Sequence, residues 1–365
     1  MAKKRDSGIE LLRVIAIFMV IGVHTFLYGG FYEEAKEVGG LVYWMAGFLR
    51  MMFRPAVNIF VIITGYFMVR ARFDLRRSYK RVVHVYMSVW FYSVVLGIIT
   101  LIAGPVFYTI DGVTTPVHII ILKMIFPVMS QNWYFISDYI LLCLFAPFVN
   151  ITLQKISRRQ YQVLLLITTL VMSVWFTIAD MNLFDEVVRT YGYGDMEDGK
   201  NVFSFIYIYM IGGYIGLHVD KNEHVKYRYL IAVPVCAIVN CLLAYKLEPL
   251  GLSNAAMRYT NPFVILMAVF ALMFFKDLHF YSKAVNLVAS ATIGVYAIHE
   301  FKYIRAALWK MFDFSKLNCS NVFFDMVYII GVIMIIFIIC TVIELLRQRL
   351  FGLCARLIRD RVGDN

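Results

Sequence analysis

The chain has 365 residues, 61% hydrophobic and only 16% charged, with a formal net charge of +11 and a mean hydropathy of +0.73. A soluble domain carries about 25% charged residues, so this balance excludes a soluble enzyme and points to a polytopic membrane protein. The six cysteines make no CxxC pair and no zinc spacing, so neither a disulfide framework nor a bound metal is expected.

A membrane helix needs roughly 20 mostly apolar residues. Ten segments meet that need: 8–28, 41–67, 82–103, 132–150, 161–179, 202–217, 229–245, 259–275, 287–309 and 322–344. The run "VHIIILKMIFPVM" (117–129) is apolar but short, and reads as interfacial or re-entrant rather than spanning. The basic start "MAKKR" before an apolar run has the look of a secretory leader. The run is too long for one, and the bulky "HTFLYGGFYEE" offers no small-residue cleavage site. A retained first helix is expected.

Lysine and arginine set the orientation. With the N-terminus inside, cytoplasmic segments hold 22 Lys/Arg and external loops hold 8. Both termini are therefore expected in the cytoplasm. The positive charge is explained by this bias, and no basic–aromatic pattern suits nucleic acid. Without repeats, linkers or a soluble extension, residues 1–365 read as a single all-α domain, a multi-pass bundle of about ten helices in the cell membrane.

Ionisable groups inside spans cost about 2.5–3.5 kcal/mol near the centre, so each is a functional candidate. They are Arg13, His24, Arg50, Arg54, His84, Asp138, His299, Glu300, Lys302 and Arg305. Arg13 and His24 are 11 positions apart in "RVIAIFMVIGVH". That is about 20° past three turns, so they share a helix face about 16 Å apart along the axis. Each alone could be a snorkelling or interfacial residue. Both on one face favour a polar channel, and Glu10 is in reach of Arg13.

In the second span Arg50 and Arg54 lie one turn apart, with Pro55 next. A proline there frees a carbonyl and often breaks a helix beside a cavity; a kinked helix with a structural Arg–Asp pair is the plainer alternative. The basic loop "RARFDLRRSYKRVVH" (70–84) is either a topology determinant touching anionic lipid or a phosphate-binding surface. In "GVYAIHEFKYIR" four ionisable residues fall in seven positions, and some could simply pair.

Several blocks in order resemble acyltransferase family 3, the bacterial membrane O-acyltransferases, from about Asp6 to Phe351. "GIELLRVIAIFMVIGVHT" is similar to the family's opening helix, with its Arg-x10-His motif met by Arg13 and His24. "RPAVNIFVIITGYFMV" resembles the second helix, with Thr64-Gly65-Tyr66 at its Ser-Gly-Tyr-like end. "NWYFISDYILLCLFAPFVN", "FIYIYMIGGYIG" and "ASATIGVYAIHE" resemble later blocks. The chain departs from the family at its cytoplasmic Arg-x-x-Arg, for which Arg81 to His84 or Arg77 to Lys80 is the nearest counterpart.

The resemblance implies transfer of an acyl group, usually acetyl from acetyl-CoA, to a hydroxyl of a surface polysaccharide or lipid-linked sugar. The acyl donor would be a co-substrate, with Arg13, Arg77, Lys80, Arg81 and His84 holding the CoA phosphates. His24 would be the general base and Arg54 would stabilise the oxyanion or hold the acceptor. Asp138 or Glu300 would orient His24. A transporter or flippase remains a competing reading, as does a membrane domain that serves a partner or takes up an amino acid. Partners expected are the bilayer, a glycan acceptor and, if it self-associates, a second copy of the chain.

Overall fold

The computed structural model describes residues 6–130, 132–181, 197–222, 224–312, 314 and 321–363. The candidate external Cys319 and most of the acidic loop at 180–201 lie outside them. Helices run in the order α1 Gly8–Tyr28, α2 Phe31–Val38, α3 Gly40–Phe53, α4 Ala56–Met68, α5 Leu75–Ala103 and α6 Pro105–Tyr108. A two-residue hairpin, β1 Thr109–Ile110 with β2 Val113–Thr114, pairs antiparallel. Then come α7 Val117–Ile125, α8 Tyr134–Lys155, α9 Arg158–Thr169 and α10 Phe176–Asp180, the last two joined by a π-helical stretch at 170–175. The chain continues through α11 Val202–His218, α12 Tyr227–Leu247, α13 Asn254–Met257, α14 Pro262–Phe275, α15 Lys283–Ser290, α16 Thr292–His299, α17 Lys302–Met311 and α18 Val322–Gly363.

Among the described residues, eight helical segments are long and apolar enough to cross a membrane. Helix α11, with 17 residues, is a shorter apolar helix. The expected ninth span is not one helix but three pieces, α15, α16 and α17. In lipid every backbone polar group must be satisfied within the protein, which is why helices dominate. Their apolar residues lie on both sides: Ile335, Ile338, Ile339 and Val342 of α18 are exposed while Ile329, Ile333 and Ile336 are buried. This is a multi-pass membrane protein, an all-α bundle.

Two packing features position the interior. Helices α4 and α11 approach backbone to backbone. A Cβ at Gly212 would stand 2.1 Å from the Ile62 carbonyl oxygen, and one at Gly65 would stand 2.1 Å from that of Tyr209. Small residues permit such contact in membranes. The second feature is the buried stretch 255–261, the end of the short helix α13 followed by irregular backbone at 258–261. Its carbonyls are met by buried asparagines: Asn58 donates to Tyr259 O at 2.7 Å, Asn240 to Ala256 O at 2.8 Å, and Asn261 to Ala255 O at 3.1 Å. The non-helical backbone at 258–261 is tolerated because it is buried in protein.

Candidate active site

Helix α1 carries the two residues the spacing singled out. Arg13 is half-buried, pairs with Glu10 at 2.8 Å and lies 5.5 Å from the centre of the Phe67 ring. His24, near the other end, is 7% exposed. Each borders a different cavity, and α1 walls both.

The first cavity, about 430 Å³, is lined by Arg13, Ile17 and Val20 of α1, with Arg81 and His84 of α5 and Thr64 of α4. Arg81 also borders a smaller neighbouring cavity of about 260 Å³ together with Arg77. Lys80 is exposed and borders neither. Of the two candidate counterparts for the family's cationic pair, Arg81 and His84 are therefore the ones beside Arg13.

The second cavity, about 340 Å³, is lined by His24, Arg54, Tyr134, Tyr259, Glu300 and Arg305, among others. Two helix breaks build it. At Arg54–Pro55 the second span divides into α3 and α4, as the proline led one to expect. The break frees Arg54 to reach the 255–261 stretch, where its Nε donates to the Met257 carbonyl and its guanidinium lies 3.8 Å above the Tyr259 ring. The second break follows His299 and carries no proline or glycine. One local and one tertiary contact hold it: Arg305 pairs with Glu300 across the break, and Phe301 packs on Trp133 at 5.6 Å.

The break brings His299 and Glu300 to His24. Nδ1 of His299 is 2.6 Å from the Val295 carbonyl oxygen, its Nε2 is 3.0 Å from Nδ1 of His24, and Glu300 Oε2 is 3.1 Å from that same nitrogen. Hydrogen-bond accounting assigns the tautomers. A carbonyl only accepts, so Nδ1 of His299 carries its proton and Nε2 is the acceptor. Nδ1 of His24 must then donate, leaving Nε2 of a neutral His24 with its lone pair. Glu300 Oε2 is close to the His24 proton without the alignment of a hydrogen bond, and no other donor among the described residues reaches it.

His24, His299 and Glu300 also offer ligand atoms within 4.8 Å of one another, a spacing that suits a divalent cation. One proton on His24 satisfies the same atoms. The cations Arg54, Lys200, Lys302 and Arg305 around the cavity oppose a further positive charge there.

Asp138 is half-buried on α8 and borders neither cavity, whereas Glu300 touches His24. Sequence reasoning marked His299 as a buried ionisable group but gave it no role; its adjacency to Glu300 in one span was the available signal. Tyr296 lies inside the family-like block "ASATIGVYAIHE" but was given no role. Among the described residues it alone lines both cavities, it is 5% exposed, and its hydroxyl has no hydrogen-bond partner.

A polytopic bundle with a buried histidine at one of two adjoining cavities, a carboxylate beside one of its nitrogens and a basic far cavity, fits a membrane-embedded group-transfer enzyme better than an ion path. Comparison with known families agrees: the model of an acyltransferase domain matches residues 6–345, and the chain belongs to that family, acyltransferase family 3. The chain is also 33% identical over 100 residues to an amino-acid racemase of Enterococcus faecalis, covering 26% of this chain and 13% of that protein. It therefore spans about an eighth of the length of that curated relative. No solved structure matches it.

Proposed function

We propose that this protein is a membrane O-acyltransferase that moves acetyl from acetyl-CoA to a hydroxyl of a cell-surface or exported saccharide. The observation that carries the reading is the pair of cavities meeting at Tyr296, one basic at Arg13, Arg81 and His84, the other holding His24. The basic end opens to the cytoplasm, where both termini lie, and takes the CoA phosphates, with Arg77 and Lys80 at its approach. Arginine suits phosphate because its planar fork donates two parallel bonds. The pantetheine arm runs along the 430 Å³ cavity and brings the thioester to Tyr296, whose free hydroxyl is a donor for the carbonyl oxygen.

At the far side, Nε2 of His24 takes the proton of the acceptor hydroxyl as the oxygen attacks the thioester carbonyl. The tetrahedral intermediate carries its negative charge near Arg54, which stabilises it. The C–S bond then breaks, and the CoA thiolate takes the proton from His24. The products are the sugar ester and free CoA. Between these steps His24 is an imidazolium, and Glu300 and His299 hold its Nδ1 proton, as the third member of a nucleophile–base–orienter set does.

The test is direct. The purified full chain in nanodiscs is given labelled acetyl-CoA, and CoA release is followed beside His24→Ala. The expected loss in His24→Ala is about 10²- to 10⁴-fold, the range of general-base contributions. Undiminished release in the variant would remove His24 from the chemistry.

A further inference from the structure

Among the described residues, the cavity at His24 is lined by far more positive than negative charge. Arg50, Arg54, Lys123, Lys200, Lys302 and Arg305 line it, against Asp198 and Glu300. Arg305 is neutralised by Glu300. The other five cations have no carboxylate partner among the described residues. Three rest on aromatic rings instead: Arg50 on Tyr32, Arg54 on Tyr259 and Lys200 on Tyr134, at 4.2, 3.8 and 5.7 Å.

Arg54 makes the point most sharply. It is 7% exposed, and beyond its Nε bond to Met257 its terminal nitrogens meet no acceptor among the described residues. A buried charge without a counterion costs several kcal/mol in ordinary proteins, so such a group persists where a ligand completes it.

Lys123 and Lys302 converge on the same space from α7 and α17. Burial and the neighbouring charge of Lys302 both lower the pKa of Lys123. The Lys123 backbone is fixed there: its carbonyl accepts from Ser93 Oγ at 3.2 Å and from Asn132 Nδ2 at 3.1 Å. Two ammonium groups that line one cavity without a carboxylate partner among the described residues form a seat for an anion.

We propose that the acceptor saccharide carries an anionic group, a phosphate or a carboxylate, which Lys123 and Lys302 hold while Arg54 faces the reacting end. This rests on the acyl-transfer reading only for the identity of the neighbouring hydroxyl. The cation seat stands without it. A neutral sugar of the same shape would leave the lysines uncompensated and bind weakly, so the charge selects the acceptor.

The experiment is calorimetric and needs no acyl donor. The full chain in phosphatidylcholine nanodiscs is titrated with glucose 1-phosphate, methyl glucuronide and methyl glucoside. At least one anionic sugar is expected to bind, more tightly than the glucoside by at least about tenfold, the scale of a partly buried charge pair. The phosphate and uronate arms say which anion it is. In K123Q/K302Q that preference should vanish, and in K123R/K302R it should return, which separates charge from fold. Equal affinities for the three sugars, no binding by either anion, or a preference that survives K123Q/K302Q would overturn the proposal. So would loss of the preference in phosphatidylglycerol discs, because the lysines would then serve lipid headgroups. Failure to turn over acetyl-CoA would leave these titrations unaffected, so the two readings fail separately.

Discussion

Glu344 on α18 and Glu300 at the α16–α17 break are both buried, at 2% and 6% exposure, and both pair with an arginine. Their surroundings differ. Both oxygens of Glu344 are filled. Arg347 Nε and Nη2 donate at 2.8 and 2.7 Å, Gln348 Nε2 donates at 2.7 Å, and the Tyr92 hydroxyl supplies a fourth bond. Glu344 borders neither of the two main cavities. Glu300 has one oxygen on Arg305 and the other poised beside His24, facing a cavity. A saturated buried network holds helices together, and an unsaturated one beside a void is available for chemistry. Charge inside the membrane does not by itself mark function; an unfilled acceptor at a cavity does.

That contrast breaks most easily at Glu344. Glu344→Ala leaves Arg347 largely buried without its partner, a loss of about 3–5 kcal/mol in stability. The expected result is a much reduced thermal midpoint and yield, with turnover per folded molecule close to wild type. A stable Glu344→Ala protein that had lost turnover would reverse the assignment.

Glu300→Gln sharpens the other half. It keeps the shape and removes the charge that favours the His24 imidazolium. Losing the charge-assisted contact with the imidazolium that forms in turnover costs about 1.5–3 kcal/mol, so kcat should fall one to two decades while the thermal midpoint changes little. Unchanged kcat would reduce Glu300 to a structural partner of Arg305.

The effect smallest for turnover belongs to a cytoplasmic-loop pair by the proposed topology, Lys276 with Asp277, both about fully buried and 2.7 Å apart. Burial raises the Asp277 pKa, but the bonds from Lys276 and Asn222 outweigh it and hold it below its ordinary 3.8. A depressed carboxylate stabilises above its unfolded pKa and loses that contribution as pH falls through the lower folded value. Asp277→Asn should therefore flatten the acid limb of stability below about pH 4 and leave turnover alone. An unaltered acid limb would show the pair contributes nothing.

Much of this was legible in the sequence, and the limits have physical causes. The 11-residue interval from Arg13 to His24 is a local property of one helix, and the structure seats both residues along cavity walls. Pro55 announces its break because proline lacks the amide a helix needs. The break after His299 is invisible, since nothing in "HEFKY" disfavours a helix. It exists because His24 and Trp133 meet it from elsewhere, with Arg305 closing on Glu300 across it. The pairing of His24 with His299 spans 275 positions, beyond the reach of any periodicity. Lys123 lay in a stretch read as interfacial, and only the fold brings it to Lys302.

The central claim is a division of labour along α1, with donor binding at Arg13 and proton transfer at His24. The most direct measurement is acetyl-CoA affinity and turnover on the same purified protein, wild type beside Arg13→Ala and His24→Ala. The account requires His24→Ala to bind the donor as wild type does while losing turnover, and Arg13→Ala to bind it at least about tenfold more weakly, the loss of one phosphate-pairing arginine. Wild-type protein that binds no acetyl-CoA, or a His24→Ala variant that loses binding and turnover together, would contradict it.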